Sequence, residues 1–269
     1  AASGSTPAYV VYKSGSTIIR VNSNVQVGDA LTGDPTVAET IQSGPGNDTI
    51  TGSANDVLDL ANTIGTSGPA TVTANLTVTL PEGNTNGTAV TGNLLGTDTL
   101  VGMQNVNTGA GADSITGSSA ANRIDAGDGS DVVDGGAGAD TVLAGAGADR
   151  VVFDAADSID GGTGVDSLVI KTSTLDLRTV TTPQVSNLEV LDIAQDTGAN
   201  EVILTKAFVD AMGATTTPVT IEGGANDKLR LANDASNPLT PIWYRDPSAD
   251  VAASGSTPAY VAYKSGSTI

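Results

Sequence analysis

The chain has 269 residues, no cysteine, no histidine and a formal net charge of −19 at pH 7. These absences exclude disulfides, thiol chemistry, cysteine zinc sites and an imidazole base. The 11 Lys and Arg residues form no basic stripe, so we expect no nucleic-acid partner. The printed sequence contains no long apolar run and no signal-peptide pattern, so we expect no membrane span.

The acidic residues are strongly biased, with 25 Asp and 5 Glu. Glu is the more common acidic residue on helix and strand surfaces, whereas Asp suits turns, where its short carboxylate meets backbone groups or a hard cation. So much negative charge also repels itself in a folded chain unless cations neutralise it. The composition therefore favours turns that bind cations.

The first 18 residues return at the other end of the printed chain. Residues 1–18 and 252–269 agree at 17 of 18 positions, with Val11 against Ala262, at an offset of 251. We interpret this as one period of a tandem array and the start of the next. An engineered terminal duplication is the alternative.

The alternation in residues 8–27 predicts a hairpin around Ser14 and Gly15. We expect residues 1–27 to complete the preceding unit of the array and residues 252–269 to begin the following one. Residues 28–106 are expected to form further β structure. Within them, Thr71–Leu80 alternates as a half-buried strand, between turn signals at "SGPA" and "PEGNTNG".

A repeat of nine residues occupies 107–170. Its acid position holds Asp113, Asn122, Asp131, Asp140, Asp149, Asp157 and Asp166, the unit with Asp157 being one residue shorter. An aliphatic residue follows each acid position by two: Ile115, Ile124, Val133, Val142, Val151, Ile159 and Leu168. Weaker copies surround Asp48, Asp56, Asp98 and Asp227.

This pattern resembles the RTX (repeats-in-toxin) nonapeptide, G-G-x-G-x-D-x-U-x, a calcium-binding parallel β-helix repeat. The resemblance implies an all-β fold: a right-handed parallel β-roll, or β-solenoid, flanked by further β structure and one short helix. It also implies several Ca²⁺ ions in the turns. Two nonamers would form one 18-residue coil, with Asp113, Asp131, Asp149 and Asp166 on one edge and Asn122, Asp140 and Asp157 on the other.

The candidate metal ligands follow from the same resemblance. They are the carboxylates of Asp48, Asp113, Asp128, Asp131, Asp140, Asp149, Asp157 and Asp166, with the turn glycines Gly129, Gly136, Gly138, Gly145 and Gly147. Asp128 either adds an oxygen or faces solvent. The turn at Asn122 has Ser118 and Ala120 where glycines are expected, so it should bind weakly or not at all.

One aliphatic residue per nonamer buries too little apolar area to offset the ordering of nine residues, at about 1–2 kcal/mol each. We therefore expect calcium binding and folding to be one event, with disorder in the absence of metal. The alternative, that these are idle acidic loops or a disordered linker, does not account for an aliphatic residue in every nonamer.

Residues 171–251 are expected to form a C-terminal β flank with one helix. The segment Val185–Ile193 predicts a strand. In "TKAFVDAMGA", Thr205 is the expected cap, Ala207, Phe208, Ala211 and Met212 the apolar face, and Gly213 the stop. The phrase "SNLEVLDI" after a run of nonamers resembles flanks in bacterial S-layer and giant RTX adhesin proteins.

We expect no enzymatic activity. There is no H-E-x-x-H and no G-x-S-x-G motif, and Glu82, Glu189, Glu201 and Glu222 are expected at the surface. The favoured function is a calcium-stabilised repeat unit of an extracellular bacterial filament, giant adhesin or S-layer-like matrix protein, secreted by the type I route. Its expected partners are neighbouring copies, with cell-surface polysaccharide a further candidate. The alternatives are a glycan- or ice-binding module and an accessory domain of a secreted enzyme.

Overall fold

A computed structural model describes residues 9–11, 18–22, 30–34, 36–42, 47–65, 68–71, 75–82, 87–91, 96–180, 184–193, 200–213, 219–223, 228–232, 243–245 and 263–265. Its backbone divides into two units, residues 1–143 and 144–269. The five domains expected from the sequence stay a prediction. The turn at Ser14 and Gly15, the weak repeat at Asp227 and most of residues 252–269 lie outside the described residues.

The first unit is built from short strands. They are Tyr9–Val11 (β1), Ile18–Asn22 (β2), Ala30–Thr32 (β3), Thr40–Gln42 (β4), Thr49–Thr51 (β5), Val57–Asp59 (β6), Asn62–Gly65 (β7), Gly68–Thr71 (β8), Leu76–Thr79 (β9), Gly87–Thr91 (β10), Gly96–Val101 (β11), Asn105–Asn107 (β12), Ser114–Ser118 (β13), Arg123–Asp125 (β14), Asp128–Gly129 (β15), Val132–Gly136 (β16) and Thr141–Leu143 (β17).

Two sheets of this unit form the walls of a roll. In one, strands β2, β4, β6, β12, β14 and β17 are parallel neighbours, and β1 pairs antiparallel with β2 as the predicted hairpin. In the other, β16, β13 and β9 are parallel, and so are β11, β5 and β3. The nonapeptide coils thus add strands to both walls in alternation.

The repeat length sets the register of the coils. Ser114 pairs with Val132, and Arg123 pairs with Thr141, each 18 residues further along the chain. Every predicted inward aliphatic side chain is buried, with an exposed fraction between 0% and 2% for Ile115, Ile124, Val133, Val142, Val151, Ile159 and Leu168. The 18-residue coil and its aliphatic core, both predicted from the sequence, are confirmed.

Two hairpins interrupt the regular coils of the first unit. Strands β7 and β8 form one, with Gly65 opposite Gly68 near the predicted "SGPA" turn. Strand β10 pairs antiparallel with both β9 and β11, so the "PEGNTNG" segment also lies at a chain reversal. The predicted strand at 71–80 is shorter than expected: β9 alternates buried Leu76 and Val78 with exposed Thr77 and Thr79.

The second unit continues with short strands and contains two helices. Its strands are Ala146–Gly147 (β18), Arg150–Val152 (β19), Ser158–Asp160 (β20), Thr163–Gly164 (β21), Ser167–Val169 (β22), Thr174–Asp176 (β23), Gln184–Ser186 (β24), Val190–Asp192 (β25), Glu201–Thr205 (β26), Thr220–Glu222 (β27), Lys228–Ala232 (β28), Trp243–Arg245 (β29) and Tyr263–Ser265 (β30). The helices are the 3-10 helix Leu177–Thr179 and the α-helix Lys206–Met212 (α1).

Parallel pairing persists in this unit while the coil length changes. Strands β19, β22, β25 and β27 are successive parallel neighbours, and β20 pairs with β24. Arg150 lies opposite Ser167, 17 residues away, because the repeat at Asp157 is one residue short. Strands β29 and β30 pair antiparallel, which joins Trp243–Arg245 to part of the second 18-residue copy.

Helix α1 begins and ends as predicted. The Thr205 side chain accepts a hydrogen bond from the Phe208 N–H, and Gly213 ends the helix at φ 112°. The buried face differs from the prediction, since Val209 is buried beside Phe208 and Met212, whereas Ala207 is exposed. Phe208 meets Phe153 edge-to-face, with ring centroids 5.4 Å apart. The helix therefore covers the end of the core.

The single strand predicted at 185–193 is wrong. The segment forms β24 and β25, which belong to different sheets, with a corner between them. Asn187 takes φ 54° at this corner. Asn tolerates the left-handed region better than most residues, so an apolar pattern with Asn inside it accommodates a turn between two strands.

Candidate calcium-binding turns

The glycines of the turns have conformations that other residues rarely adopt. Gly129 has φ 148°, and a Cβ there would overlap the carbonyl oxygen of Gly111 in the neighbouring turn. The other candidate glycines also have positive φ: Gly136 (90°), Gly138 (125°), Gly145 (109°) and Gly147 (145°). The sequence rule for these positions thus has a direct steric cause.

Successive turns on one edge hydrogen-bond to each other through their backbones. The Gly111 N–H donates to the Asp128 carbonyl at 2.8 Å, and the Asp128 N–H donates to the Gly109 carbonyl at 2.7 Å. In the second unit, the Thr163 N–H donates to the Gly145 carbonyl at 2.7 Å. This close stacking brings the carboxylates of successive turns to the same edge.

Those carboxylates form ladders of hydrogen bonds to the backbone. Asp131 Oδ1 accepts from the Asp113 N–H at 2.7 Å, and Asp140 Oδ1 accepts from the Asn122 N–H at 2.8 Å. In the second unit, Asp166 Oδ1 accepts from the Asp149 N–H at 2.9 Å. One oxygen of each accepting carboxylate therefore holds the coils in register, and the other is left to meet a ligand.

The remaining oxygens fit a cation. Asp113 is 2% exposed and Asp166 is 0% exposed, and the buried Oδ2 of each meets no hydrogen-bond donor among the described residues. The Oδ2 atoms of Asp131, Asp140 and Asp149 are likewise buried. A buried carboxylate oxygen without a donor is costly, and a hard cation removes that cost. Ca²⁺ bound by these residues would supply that charge.

Burial also perturbs the titration of these groups. Desolvation raises the pKa of Asp113 above its usual range, although hydrogen bonds from the Leu76 N–H and the Thr108 hydroxyl oppose the shift. Desolvation and the negative charges of Asp149, Glu189 and Asp160 raise the pKa of Asp166 to about 6. Both shifts are those expected of acids gathered without their counter-ion.

A neutral network occupies the turn where the sequence predicts weak binding or none. Asn122 Oδ1 accepts from the Ser118 N–H at 2.7 Å, and Asn122 Nδ2 donates to the carbonyl oxygen and Oε1 of Gln104 at 2.9 and 2.8 Å. The Ser118 hydroxyl also donates to Gln104 Oε1 at 2.7 Å. All three side chains are buried. Their mutual bonds provide what a cation provides elsewhere.

The three less regular candidates have different surroundings. Asp128 is exposed, in agreement with the solvent-facing alternative. Asp157 is 4% exposed, and its N–H donates to the Asp154 carbonyl at 3.2 Å, so local bonds close a short turn without glycines. Asp48 is 2% exposed, and its N–H donates to Asp98 Oδ1 at 2.9 Å.

Two members of the ladders were not predicted as ligands. Asp98, 50 residues from Asp48, is fully buried and stands in the position that the next coil's Asp occupies elsewhere. The weak repeat "GTDTLVG" contained this signal. Glu189 was expected at the surface, but it is only partly exposed, and its Oε2 accepts from the Asp166 N–H at 2.9 Å.

The arrangement differs from a compact acidic cluster. Among the described residues, no group of three or more acidic side chains forms a metal cluster. The sites instead consist of stacked carboxylates beside glycine turns rich in carbonyl oxygens, which are the hard ligands that calcium prefers. A parallel roll with such turns defines the chain as a calcium-binding β-roll protein.

The family comparison agrees with this class. The family model for the RTX calcium-binding nonapeptide repeat matches four times, at residues 37–61, 95–133, 107–142 and 116–151. The chain is an RTX repeat protein, and its repeats bind Ca²⁺ in several turns. RTX repeats are typical of secreted bacterial proteins.

The curated proteins contain no match to the chain. Within the described part of the chain, no helix has the length and apolar character needed to cross a membrane.

Proposed function

We propose that the chain is a repeat unit of an extracellular bacterial structural protein, a filament, giant adhesin or S-layer-like matrix protein. The observation that carries the proposal is the 18-residue segment that returns after 251 residues on either side of a calcium-binding roll. A segment repeated at that distance is expected in a tandem array, in which each unit contacts its neighbours.

The role proposed for calcium is mechanical. Each coil contributes small aliphatic residues such as Val133 and Val142 to the core, and the buried Asp residues beside them repel one another without cations. Calcium then stiffens each unit, and the array extends its reach. Secretion by the type I route would carry the unfolded chain from a low-calcium cytosol to a calcium-rich exterior.

We propose no catalytic role. The buried carboxylates are engaged in backbone ladders, as Asp131 and Asp140 are, rather than paired around a cleft for acid–base work. Neighbouring copies of the unit are the proposed partners, with cell-surface polysaccharide as a further candidate.

Imaging of the native material tests the structural role. Antibodies raised against this chain should label continuous filaments or a surface layer on calcium-grown cells, and chelation should disperse the labelled material. Isolated monomers without any higher-order array would contradict the proposal. Recombinant chains with one and two periods should also differ in calcium-loaded length, as measured by small-angle scattering.

A second candidate function has a specific structural feature in its favour. Five threonines lie in one row across adjacent strands of the first unit, and four of them are exposed, Thr99 being half-exposed: Thr116, Thr79, Thr88, Thr99 and Thr49. Neighbouring strands lie about 4.7–4.9 Å apart, so the row presents regularly spaced hydroxyl and methyl groups. A flat array of this kind suits a glycan or an ice surface.

An ice-recrystallisation assay and a glycan array on the calcium-loaded chain test this candidate. Binding should disappear in the double variant Thr79→Lys and Thr88→Lys, because two charged side chains interrupt the row. Thr174→Lys, at an exposed position on β23, is the matched control. No binding by the wild-type chain, or equal binding by the double variant, would reject it.

A further inference from the structure

Glu189 continues a carboxylate ladder beyond the last nonapeptide. In the ladder of the second unit, Asp166 Oδ1 accepts from the Asp149 N–H at 2.9 Å. Glu189 Oε2 accepts from the Asp166 N–H at the same distance of 2.9 Å. Glu189 therefore has the position toward Asp166 that Asp166 has toward Asp149.

The strand after Glu189 supports this equivalence. Leu191 follows Glu189 by two residues, as the aliphatic residue follows the acid in every nonamer, and it is fully buried. It pairs in parallel with Leu168, which follows Asp166 by two. The coil around Glu189 thus keeps the phase of the repeat, although its turn lacks the glycine pattern.

The longer side chain of Glu189 compensates for a different turn. The chain reaches Glu189 through the corner at Asn187, whose Nδ2 donates to Asp160 Oδ1 at 2.7 Å. The Gly161 N–H donates to the Ser186 carbonyl at 3.0 Å, and a Cβ on Gly161 would overlap the Asn187 carbonyl oxygen. The corner therefore packs against the last glycine turn as another turn of the roll would.

Asp166 lies between these turns and has an oxygen that needs a ligand. Its side chain is fully buried, and its Oδ2 meets no hydrogen-bond donor in the part of the chain that the structure describes. The negative charges of Asp149, Glu189 and Asp160 act on it together. A hydrogen bond from the backbone to Glu189 does not remove this repulsion, whereas a divalent cation does.

We propose that Asp166 and Glu189 together bind a Ca²⁺ ion at the C-terminal end of this edge, beyond the last nonapeptide. The two carboxylates supply the charge, and backbone carbonyls of the adjoining turns complete an all-oxygen site. This ion joins the roll to β25 and β27, so the flank that follows the repeats also depends on calcium.

The first test compares Glu189→Gln with wild type by isothermal titration calorimetry and by equilibrium dialysis against calcium. Gln keeps an oxygen that accepts from the Asp166 N–H but lacks the negative charge. We expect the variant to bind one ion fewer than wild type, and amides of β25 and β27 to exchange hydrogen faster in calcium. The matched control Glu222→Gln, in the next coil, should retain the wild-type stoichiometry.

The second test needs no variant and covers the case in which Glu189→Gln fails to fold. Crystals of the wild-type chain, grown in calcium and exchanged into terbium, should show an anomalous peak between Asp166 and Glu189. No peak there, or unchanged stoichiometry in folded Glu189→Gln, would overturn the proposal and leave Glu189 as a hydrogen-bonding cap. Failure of wild type to bind calcium at all would instead overturn the calcium roll, so the two outcomes are distinct.

Discussion

Asp113 and Asp131 lie one coil apart, and the N–H of Asp113 donates a hydrogen bond to Oδ1 of Asp131 at 2.7 Å. The same relationship joins Asn122 to Asp140 and Asp149 to Asp166. Each accepting Asp therefore has two tasks: one oxygen fixes the register of the coils, and the other is available to a cation. Asn performs the first task but supplies no charge for the second, and this separates the two in an experiment.

The double substitution Asp140→Asn and Asp149→Asn should raise the calcium concentration at the folding midpoint by at least about tenfold, or about 1.4 kcal/mol in binding free energy. The Asn side chains still accept the backbone hydrogen bond, so the register is kept while the charge is lost. Calcium titrations followed by far-ultraviolet circular dichroism measure the midpoint. Asp210→Asn, on helix α1, is the control, and an equal shift in that variant would show a nonspecific charge effect.

Removal of calcium should unfold the roll. The aliphatic core at Ile115, Val133 and their counterparts is thin, and the Asp ladders repel without metal, so the β signal should be lost in chelator and return in millimolar calcium. Hydrogen exchange should locate the loss in residues 107–170. A β spectrum unchanged by chelator would show that folding and calcium binding are separate events.

The repeat phase and the helix cap were predictable because they depend on local chemistry. The spacing of Asp and aliphatic residues set the coil length, and Thr205 and Gly213 set the limits of the helix. The Asp48–Asp98 pair was not predictable, since two hairpins separate residues that stack in space. Glu189 was missed for another reason: it reaches the ladder from a corner without glycines, which the nonapeptide pattern does not describe.

Gln104→Ala should destabilise the calcium-loaded chain by about 1–3 kcal/mol without changing its calcium stoichiometry. The substitution removes the side-chain acceptor shared by Asn122 Nδ2 and the Ser118 hydroxyl, and so breaks the neutral network. Thermal denaturation in calcium and calorimetric titration provide the two measurements. Gln184→Ala, at an exposed position, is the control. A fall in stoichiometry would show that this turn contributes to an ion site.

Gly129→Ala should destabilise the roll by about 1–3 kcal/mol from backbone strain, and further from steric overlap with the Gly111 carbonyl. The expected readout is a higher calcium midpoint together with a lower melting temperature. Ala139→Ser adds a heavy atom at an exposed turn position and should leave both values unchanged. A wild-type midpoint for Gly129→Ala would mean that the turns separate more easily than their stacked backbones indicate.

Acidification should weaken calcium binding at Asp166. Its pKa in the folded chain is raised from the ordinary 3.8 to about 6, mainly by burial and by nearby negative charges. A raised acid pKa means that the calcium-free fold holds a proton more tightly than the unfolded chain does. Its stability therefore falls as pH rises from about 4 to about 6 and is level above that.

Calcium competes with the same proton, so its folding midpoint should rise steadily as pH is lowered from 7 to 5. Circular-dichroism titrations with calcium at several pH values measure this dependence. Asp166→Asn has no proton to lose at this position, and its midpoint should vary less over the same interval. A wild-type midpoint independent of pH would contradict the link between the buried Asp166 carboxylate and the ion.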